Sequence, residues 1–368
     1  MSLAIAAVGT AVPSTRLTQA EAMAVARAVC CRSEEQASWL PDLYGGSGIE
    51  SRYLAFDYAV VQDILKGTRH SRSPFLPGEG NSKSGPTSGE RMRHFREQAP
   101  PLATRAASQA LIRADIHPGA ISHLITVTCT GFFAPGLDVA LIKELGLNRD
   151  VARTQIGFMG CHGALNGLRV AAAFARSDPE ARILLCCVEL CGLHYNYGWD
   201  PQLMVANALF ADGAAALVGR HEVGATGEAW RLVASESCII PDSEDAMTWI
   251  IGDHNFEMTL SKQVPGLIAR NLRPWLSTWL RELDLDVNGI ASWAVHPGGP
   301  RILTAVEEAL TLDRHALTDS KAVLAEYGNM SSPTLLFILD RLRHRNAPRP
   351  CVALGFGPGL VVEAALFK

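Results

Sequence analysis

The stretch Gly157-Phe-Met-Gly160-Cys161-His162-Gly163-Ala-Leu-Asn-Gly167-Leu168-Arg-Val-Ala-Ala-Ala-Phe174 constrains the fold of this chain most. A glycine turn leads into a run whose Ala, Leu and Gly spacing predicts a helix packed closely on every side. Cys161 then sits at a helix N-terminus, where unpaired backbone N–H groups and the positive end of the helix dipole favour a thiolate. By itself the residue reads equally as a small buried thiol of the core.

Such a helix needs a large enclosing core, and 368 residues, 48% of them apolar, can supply one together with an internal cavity. With 33 basic against 37 acidic residues, no global field draws the chain to nucleic acid, so an anionic substrate would have to be met by a local basic site. The opening segment, residues 1–14, carries no Lys or Arg before its apolar run and reads as a first strand and turn, not a signal peptide. No uninterrupted apolar run reaches the roughly 18 residues that a membrane span needs. The nine cysteines follow neither a disulfide framework nor a zinc-site spacing, a usage that fits a reducing cytoplasm.

Along the chain, strands alternate with helices, which indicates a layered α/β fold with largely buried sheets. Ala4 to Val8 reads as a strand, and Thr18 with Glu21 as a helix start. Residues 68 to 90 read as a Ser/Gly/Pro-rich loop, and Glu90 to Ala114 as a long helix broken near Pro100 and Pro101. The second part replays the first. Leu232 to Pro241 echoes Leu3 to Pro13, Ser292 to Gly299 echoes Leu124 to Gly131, Ala322 to Leu342 echoes Thr154 to Phe174, and Cys351 to Gly357 echoes Ile183 to Glu189. Two similar halves are therefore expected, 1–225 and 226–368, meeting near residue 225. Cys161 and Asn329 occupy equivalent points, each expected to open a helix after a strand, and His296 ends a strand beside Pro297-Gly-Gly299. A histidine placed so is ordinarily a hydrogen-bonded structural residue. Cysteine, histidine and asparagine converging at strand ends instead suit a nucleophile, its proton partner and an amide that holds a developing oxyanion.

The segments Gly160-Cys161, His296-Pro-Gly-Gly299, Tyr327-Gly-Asn-Met-Ser-Ser332 and Gly355-Phe-Gly-Pro-Gly359, in this order, resemble the type III polyketide synthases, the chalcone and stilbene synthase-like enzymes of the thiolase fold. The resemblance covers nearly the whole chain and is poorest over residues 68–90. It implies a five-layered αβαβα subunit built from two similar halves, each with a mixed, mostly parallel sheet, working as a homodimer. The substrates it implies are an acyl-CoA starter and malonyl-CoA, with no metal or redox cofactor. Cys161 matches the acyl-accepting position, His296 the residue that keeps the sulfur ionised, and His296 with Asn329 the pair that hydrogen-bonds the thioester carbonyl as malonyl-CoA loses carbon dioxide. Phe210 matches the aromatic gatekeeper, and Gly355, Phe356, Gly357, Pro358 and Gly359 the loop that shapes one cavity wall. Arg52 falls in the tunnel-mouth region and is the expected contact to the CoA phosphates.

Departures from the family pattern bear on the product. His194, Trp249 and Met258 fall where chalcone synthases place Thr, Gly and Phe, while Ser331 keeps the small residue. Trp249 would fill much of a chalcone-sized cavity, so few extensions and a pyrone or small resorcinol are expected, or an acyl chain that runs through another channel near Cys129 and Thr130. Two other readings share much of this pattern: a β-ketoacyl-acyl-carrier-protein synthase III, whose His and glycine segments normally differ from those here, and a non-catalytic acyl-CoA-binding homologue.

Overall fold

The computed structural model describes residues 2–78, 85–222 and 229–368. The first half runs β1 (Ser2–Ala11), β2 (Thr15–Thr18), α1 (Gln19–Cys30), α2 (Glu34–Ala37), α3 (Leu40–Gly45), β3 (Ser51–Leu54), α4 (Tyr58–Lys66), α5 (Ser88–Ala114), β4 (His123–Thr128), α6 (Leu137–Leu145), β5 (Ala152–Gly157), α7 (Gly163–Ser177), β6 (Arg182–Leu190), α8 (Pro201–Leu209) and β7 (Asp212–Glu222). The second runs β8 (Trp230–Ile239), β9 (Met247–Ile251), β10 (Phe256–Leu260), α9 (Val264–Glu282), β11 (Ser292–Val295), α10 (Pro300–Leu310), α11 (Thr318–Tyr327), α12 (Ser332–His344), β12 (Cys351–Gly357) and β13 (Val361–Phe367). The expected meeting point near residue 225 and part of the 68–90 loop lie outside the described residues.

Thr18 caps α1 through a reciprocal capping box with Glu21, satisfying two backbone donors at the helix start. The break expected at Pro100 and Pro101 is absent: α5 continues through both prolines for 27 residues. Its Phe95, Ala99, Leu102, Ala103, Ala106, Ala107 and Ala110 form one buried stripe. Tertiary packing along that stripe offsets the backbone hydrogen bonds the prolines remove.

The strands form a mixed sheet in the order β11-β12-β13-β8-β1-β7-β6-β4-β5. β4 pairs in parallel with β5 and β6, and β6-β7 and β7-β1 are antiparallel. The senses along β4-β6-β7-β1 recur along β11-β12-β13-β8. β1 and β8 join the two sets through the pairs Leu3 with Leu232, Ala4 with Arg231 and Ile5 with Trp230. Among the described residues, the edge equivalent to β5 has no strand in the second set. Instead of the strand expected before Asn329, the chain forms α11, whose buried Asp319, Ser320, Val323 and Leu324 recur at helical spacing.

Three cores define five layers. Between the two strand sets, α7 and α12 bury Ala164, Leu168, Leu335 and Ile338 against Ile125, Leu185, Ala294 and Ala353. Helices α5 and α6 cover the outer face of the first set, and α9 and α10 that of the second. Each fully buried Leu or Ile contributes roughly 1.5–3 kcal/mol, so the paired central helices are held as firmly as the sheets. The N-termini of both face the same region, and the site lies there.

Candidate active site

Cys161 follows β5 through a tight reversal. Phe158 and Gly160 both adopt positive φ, +61° and +71°. A Cβ on Gly160 would stand 2.6 Å from Pro358 Cδ, so a glycine is needed there on two counts. Residues Gly160–His162 form one 3₁₀ turn before α7, which leaves the buried Cys161 at the helix entrance as the sequence predicts.

His296 extends the ladder beyond β11, its N–H donating to Leu354 O at 2.8 Å. The imidazole is fully buried, and neither Nδ1 nor Nε2 has a hydrogen-bond partner. Burying a polar group unpaired costs about 1–3 kcal/mol, so this ring is suited to a group that arrives with the substrate. Asn329 lies in the turn between α11 and α12. Its Oδ1 accepts from Ser331 N at 2.8 Å, which fixes the amide so that Nδ2 faces Gly298 O at 3.4 Å and keeps donor capacity toward the cavity. The backbone of Asn329 forms a bridge with Phe210: Asn329 N donates to Leu209 O and Ala211 N to Asn329 O.

Cys161, Phe210, Met258, Phe356 and Asn329 line one cavity. Cys161 also lines a second with Cys129, Thr130, Trp249, Ser331 and Pro358. The nucleophile candidate thus stands between two spaces.

Burial pushes the Cys161 thiol up to about 11, and polar contact with Ser331 and Asn329 offsets only part of the effect. Burial and the nearby His162 push His296 down to about 3. Neither group carries a charge alone at neutral pH.

Glu189, which the sequence reading left without a role, underlies the site. Fully buried at the end of β6, it accepts from Cys129 N (2.9 Å), Thr130 Oγ1 (2.7 Å), Thr128 Oγ1 (3.2 Å) and Ser332 Oγ (2.6 Å). Burial raises its pKa and these donors lower it. One carboxylate therefore ties the turn after β4 to the turn before α12. The available signal was an acid closing an otherwise apolar strand.

His194 makes no contact with the Cys161 cavities. Phe256 N donates to its Nδ1 at 3.0 Å, so Nε2 carries the proton and donates to Thr130 O at 2.7 Å. Burial pushes it down to about 3, which keeps this tautomer neutral. Trp249 stands edge-on to it and donates from Nε1 to Cys129 O at 2.8 Å. His162 donates from Nδ1 to Asn166 Oδ1 at 2.8 Å, and Asn166 Nδ2 in turn donates to Glu363. Gly355, Phe356 and Gly357 are strand residues of β12 and not loop; the turn proper is Pro358-Gly359. A Cβ on Gly357 would overlap the His162 ring.

Arg52 is the residue the structure removes from its expected role. It is 2% exposed, and its guanidinium donates to Asn207 O (2.8 Å), Phe210 O (2.9 Å), Ala208 O and Gln19 Oε1 (2.6 Å). Three of these are carbonyls at the C-terminal end of α8, which lack helical partners and carry the negative end of the helix dipole. With its donors turned inward, Arg52 cannot receive CoA phosphates at a tunnel mouth. It holds the helix end from which Phe210 projects.

The chain matches the family models of the chalcone and stilbene synthase N-terminal domain over residues 2–222 and C-terminal domain over residues 231–368. It is 33% identical over 340 residues to the alpha-pyrone synthesis polyketide synthase-like Pks18 of Mycobacterium tuberculosis, covering 90% of this chain and 82% of that protein. Among solved structures, PKS-I from the brown alga Ectocarpus siliculosus superposes with a TM-score of 0.91 at 35% identity, covering 100% of this chain and 98% of that one. The C-terminal type III polyketide synthase domain of Steely1 from Dictyostelium gives 0.89 at 28% identity, covering 100% and 99%. The fold and these relatives define an acyl-transferring condensing enzyme. The chain belongs to the chalcone and stilbene synthase family, the type III polyketide synthases.

Among the described residues no helix is long and apolar enough to cross a membrane, and no cluster of His, Cys, Asp or Glu could hold a metal ion.

Proposed function

We propose that Cys161 accepts an acyl group from an acyl-CoA starter, and that malonyl-CoA extends it by decarboxylative Claisen condensation to a small cyclised polyketide. The observation that carries this reading is the cavity that Cys161, Asn329 and Phe210 line together, with Gly298 in the same wall two residues after His296, whose buried imidazole has no hydrogen-bond partner. As the Cys161 sulfur attacks the thioester carbonyl, His296 takes its proton, and the CoA thiol leaves with a proton. Malonyl-CoA then loses carbon dioxide, and the charge growing on its thioester oxygen is held by N–H donors of Asn329 and His296. The enolate carbon attacks the acyl-sulfur carbonyl, and the Cys161 thiolate is released for another round.

The Trp249 ring walls the space that Cys161 shares with Cys129, Thr130 and Ser331, which favours few extensions, and closure of a short chain to an α-pyrone or a resorcinol follows. The chemistry has no net redox step and calls for no cofactor besides the thioesters. We place the two halves at 1–225 and 226–368. A homodimer in the cytoplasm is the form we assign, consistent with nine free thiols.

The test is incubation of the purified protein with malonyl-CoA and a panel of aryl and fatty acyl-CoA starters, with products read by mass spectrometry. Wild-type protein should release carbon dioxide and form pyrones or resorcinols, and Cys161→Ala should form none. Absence of carbon dioxide with every starter would leave an acyl-CoA-binding homologue instead.

A further inference from the structure

The cavity that Cys161 and Asn329 line has an inner end and an outer one. At the inner end Cys161, Asn329 and Phe356 are buried. At the outer end the lining is exposed at Gln202 and half-buried at Val205, Leu260 and Gly298. Three elements meet at this mouth: the first turns of α8, the end of β10 and the turn that enters α10. The exposure of the lining marks this end as the route from solvent to the thiol.

Two cations flank the mouth. Lys262 follows Leu260 by two residues, and Arg301 precedes Ile302, which lines the cavity together with Gly298. Side chains on a helix lean toward its N-terminus, so Arg301, in the first turn of α10, leans toward Gly298. Both residues are exposed, and among the described residues neither makes a hydrogen bond or an ion pair. Arg52 and Arg91, by contrast, turn their guanidinium groups inward to backbone carbonyls, and Arg153, Arg169 and Arg345 face carboxylates. Asp200, at the start of α8, is already engaged by Gln202 N and Leu203 N.

A thioester whose acyl end reaches Cys161 extends its carrier outward through this mouth, and in coenzyme A the carrier ends in a diphosphate and a 3′-phosphate. A guanidinium meets phosphate with two parallel N–H donors and an ammonium meets it as a point charge. We propose that Arg301 and Lys262 bind the phosphates of coenzyme A at the mouth of the Cys161 cavity, the part that the inward-facing Arg52 does not fill. The identity of the thioester rests on the reaction proposed above.

Binding is measured first, because it does not depend on turnover. Calorimetric titration with coenzyme A compares the wild type with Arg301→Ala, Lys262→Ala and the double variant, and with Lys143→Ala on the exposed side of α6 as an equal loss of charge elsewhere. Each rim variant should weaken coenzyme A about three- to fivefold and the double variant about tenfold, the range of exposed charge pairs, and added salt should shrink these differences. An unchanged affinity in the double variant, or an equal loss in Lys143→Ala, would overturn the assignment. Turnover then compares malonyl-CoA with malonyl-N-acetylcysteamine, the same acyl group on a carrier without phosphates. In the double variant kcat/KM for malonyl-CoA should fall about tenfold through KM, with kcat held and malonyl-N-acetylcysteamine unaffected. An equal fall for both thioesters would make the two residues supports of the cavity wall and overturn the phosphate contact. A fall seen only with a malonyl group on acyl carrier protein would hand the rim to an acidic carrier protein and overturn it as well. Absence of carbon dioxide from both small thioesters with the wild type would instead strike the condensing reaction and leave the binding result standing.

Discussion

Three side chains carry the proposed chemistry, and each is held by a different device. Cys161 is fixed by a strained turn, His296 by continuation of a strand, and Asn329 by its own Asx-type bond to Ser331 N. Replacing Asn329 by Ala removes the Nδ2 donor and should lower malonyl-CoA decarboxylation by about 10²–10³. Covalent loading of Cys161, read as an acyl mass shift, should persist; an equal loss of both would place Asn329 outside the decarboxylation step. Trp249 separates the Cys161 cavity that it lines from a neighbouring, mostly apolar chamber and is pinned by its bond to Cys129 O. Trp249→Gly should merge the two spaces and shift products to longer polyketides, and an unchanged product profile would show that chain length is set elsewhere.

Contacts between elements set how precisely those side chains meet. The N-terminal turn of α7 rests on β12, where Gly357 faces the His162 ring with no room for a Cβ. Gly357→Ala should push the His162 turn, and Cys161 with it, off its present position. We expect a loss of about 1–3 kcal/mol in stability and a larger fractional loss in the rate of Cys161 acylation than in stability. Chemical denaturation and single-turnover acylation measure the two; unaltered acylation would mean that the turn moves independently of the strand. The end of α8 is a second such joint. Arg52 grips its last carbonyls, and the adjoining backbone bridges to Asn329, so Phe210 and the proposed oxyanion donor share one support.

At the scale of the whole molecule, burying carboxylates beneath the site has a cost that depends on pH. Asp212 accepts from Ala55 N (2.7 Å) and Gly192 N (2.6 Å), yet burial pushes its pKa from 3.8 up to about 7. Folding therefore takes up a proton between those values. Its contribution to stability is complete below the lower value and lost as pH rises through the higher, with Glu189 acting in the same sense. The urea midpoint of the wild type should fall between about pH 4 and pH 7, and Asp212→Asn should flatten that slope; an unchanged slope would assign the effect to other groups. The sequence by itself determined the alternation of strands and helices, the replay of one half by the other, and the placement of Cys161, His296 and Asn329 at element ends. All of these rest on local periodicity and turn chemistry, which neighbouring residues specify. Only the tertiary structure decided that α5 passes through two prolines, that a helix replaces the strand before Asn329, that Arg52 faces inward to a helix end, and that Glu189 ties two distant turns together. Those outcomes depend on which groups far apart in the chain are brought out of water together, and hydrogen-bond satisfaction in such places is a property of the packed core that no local pattern encodes.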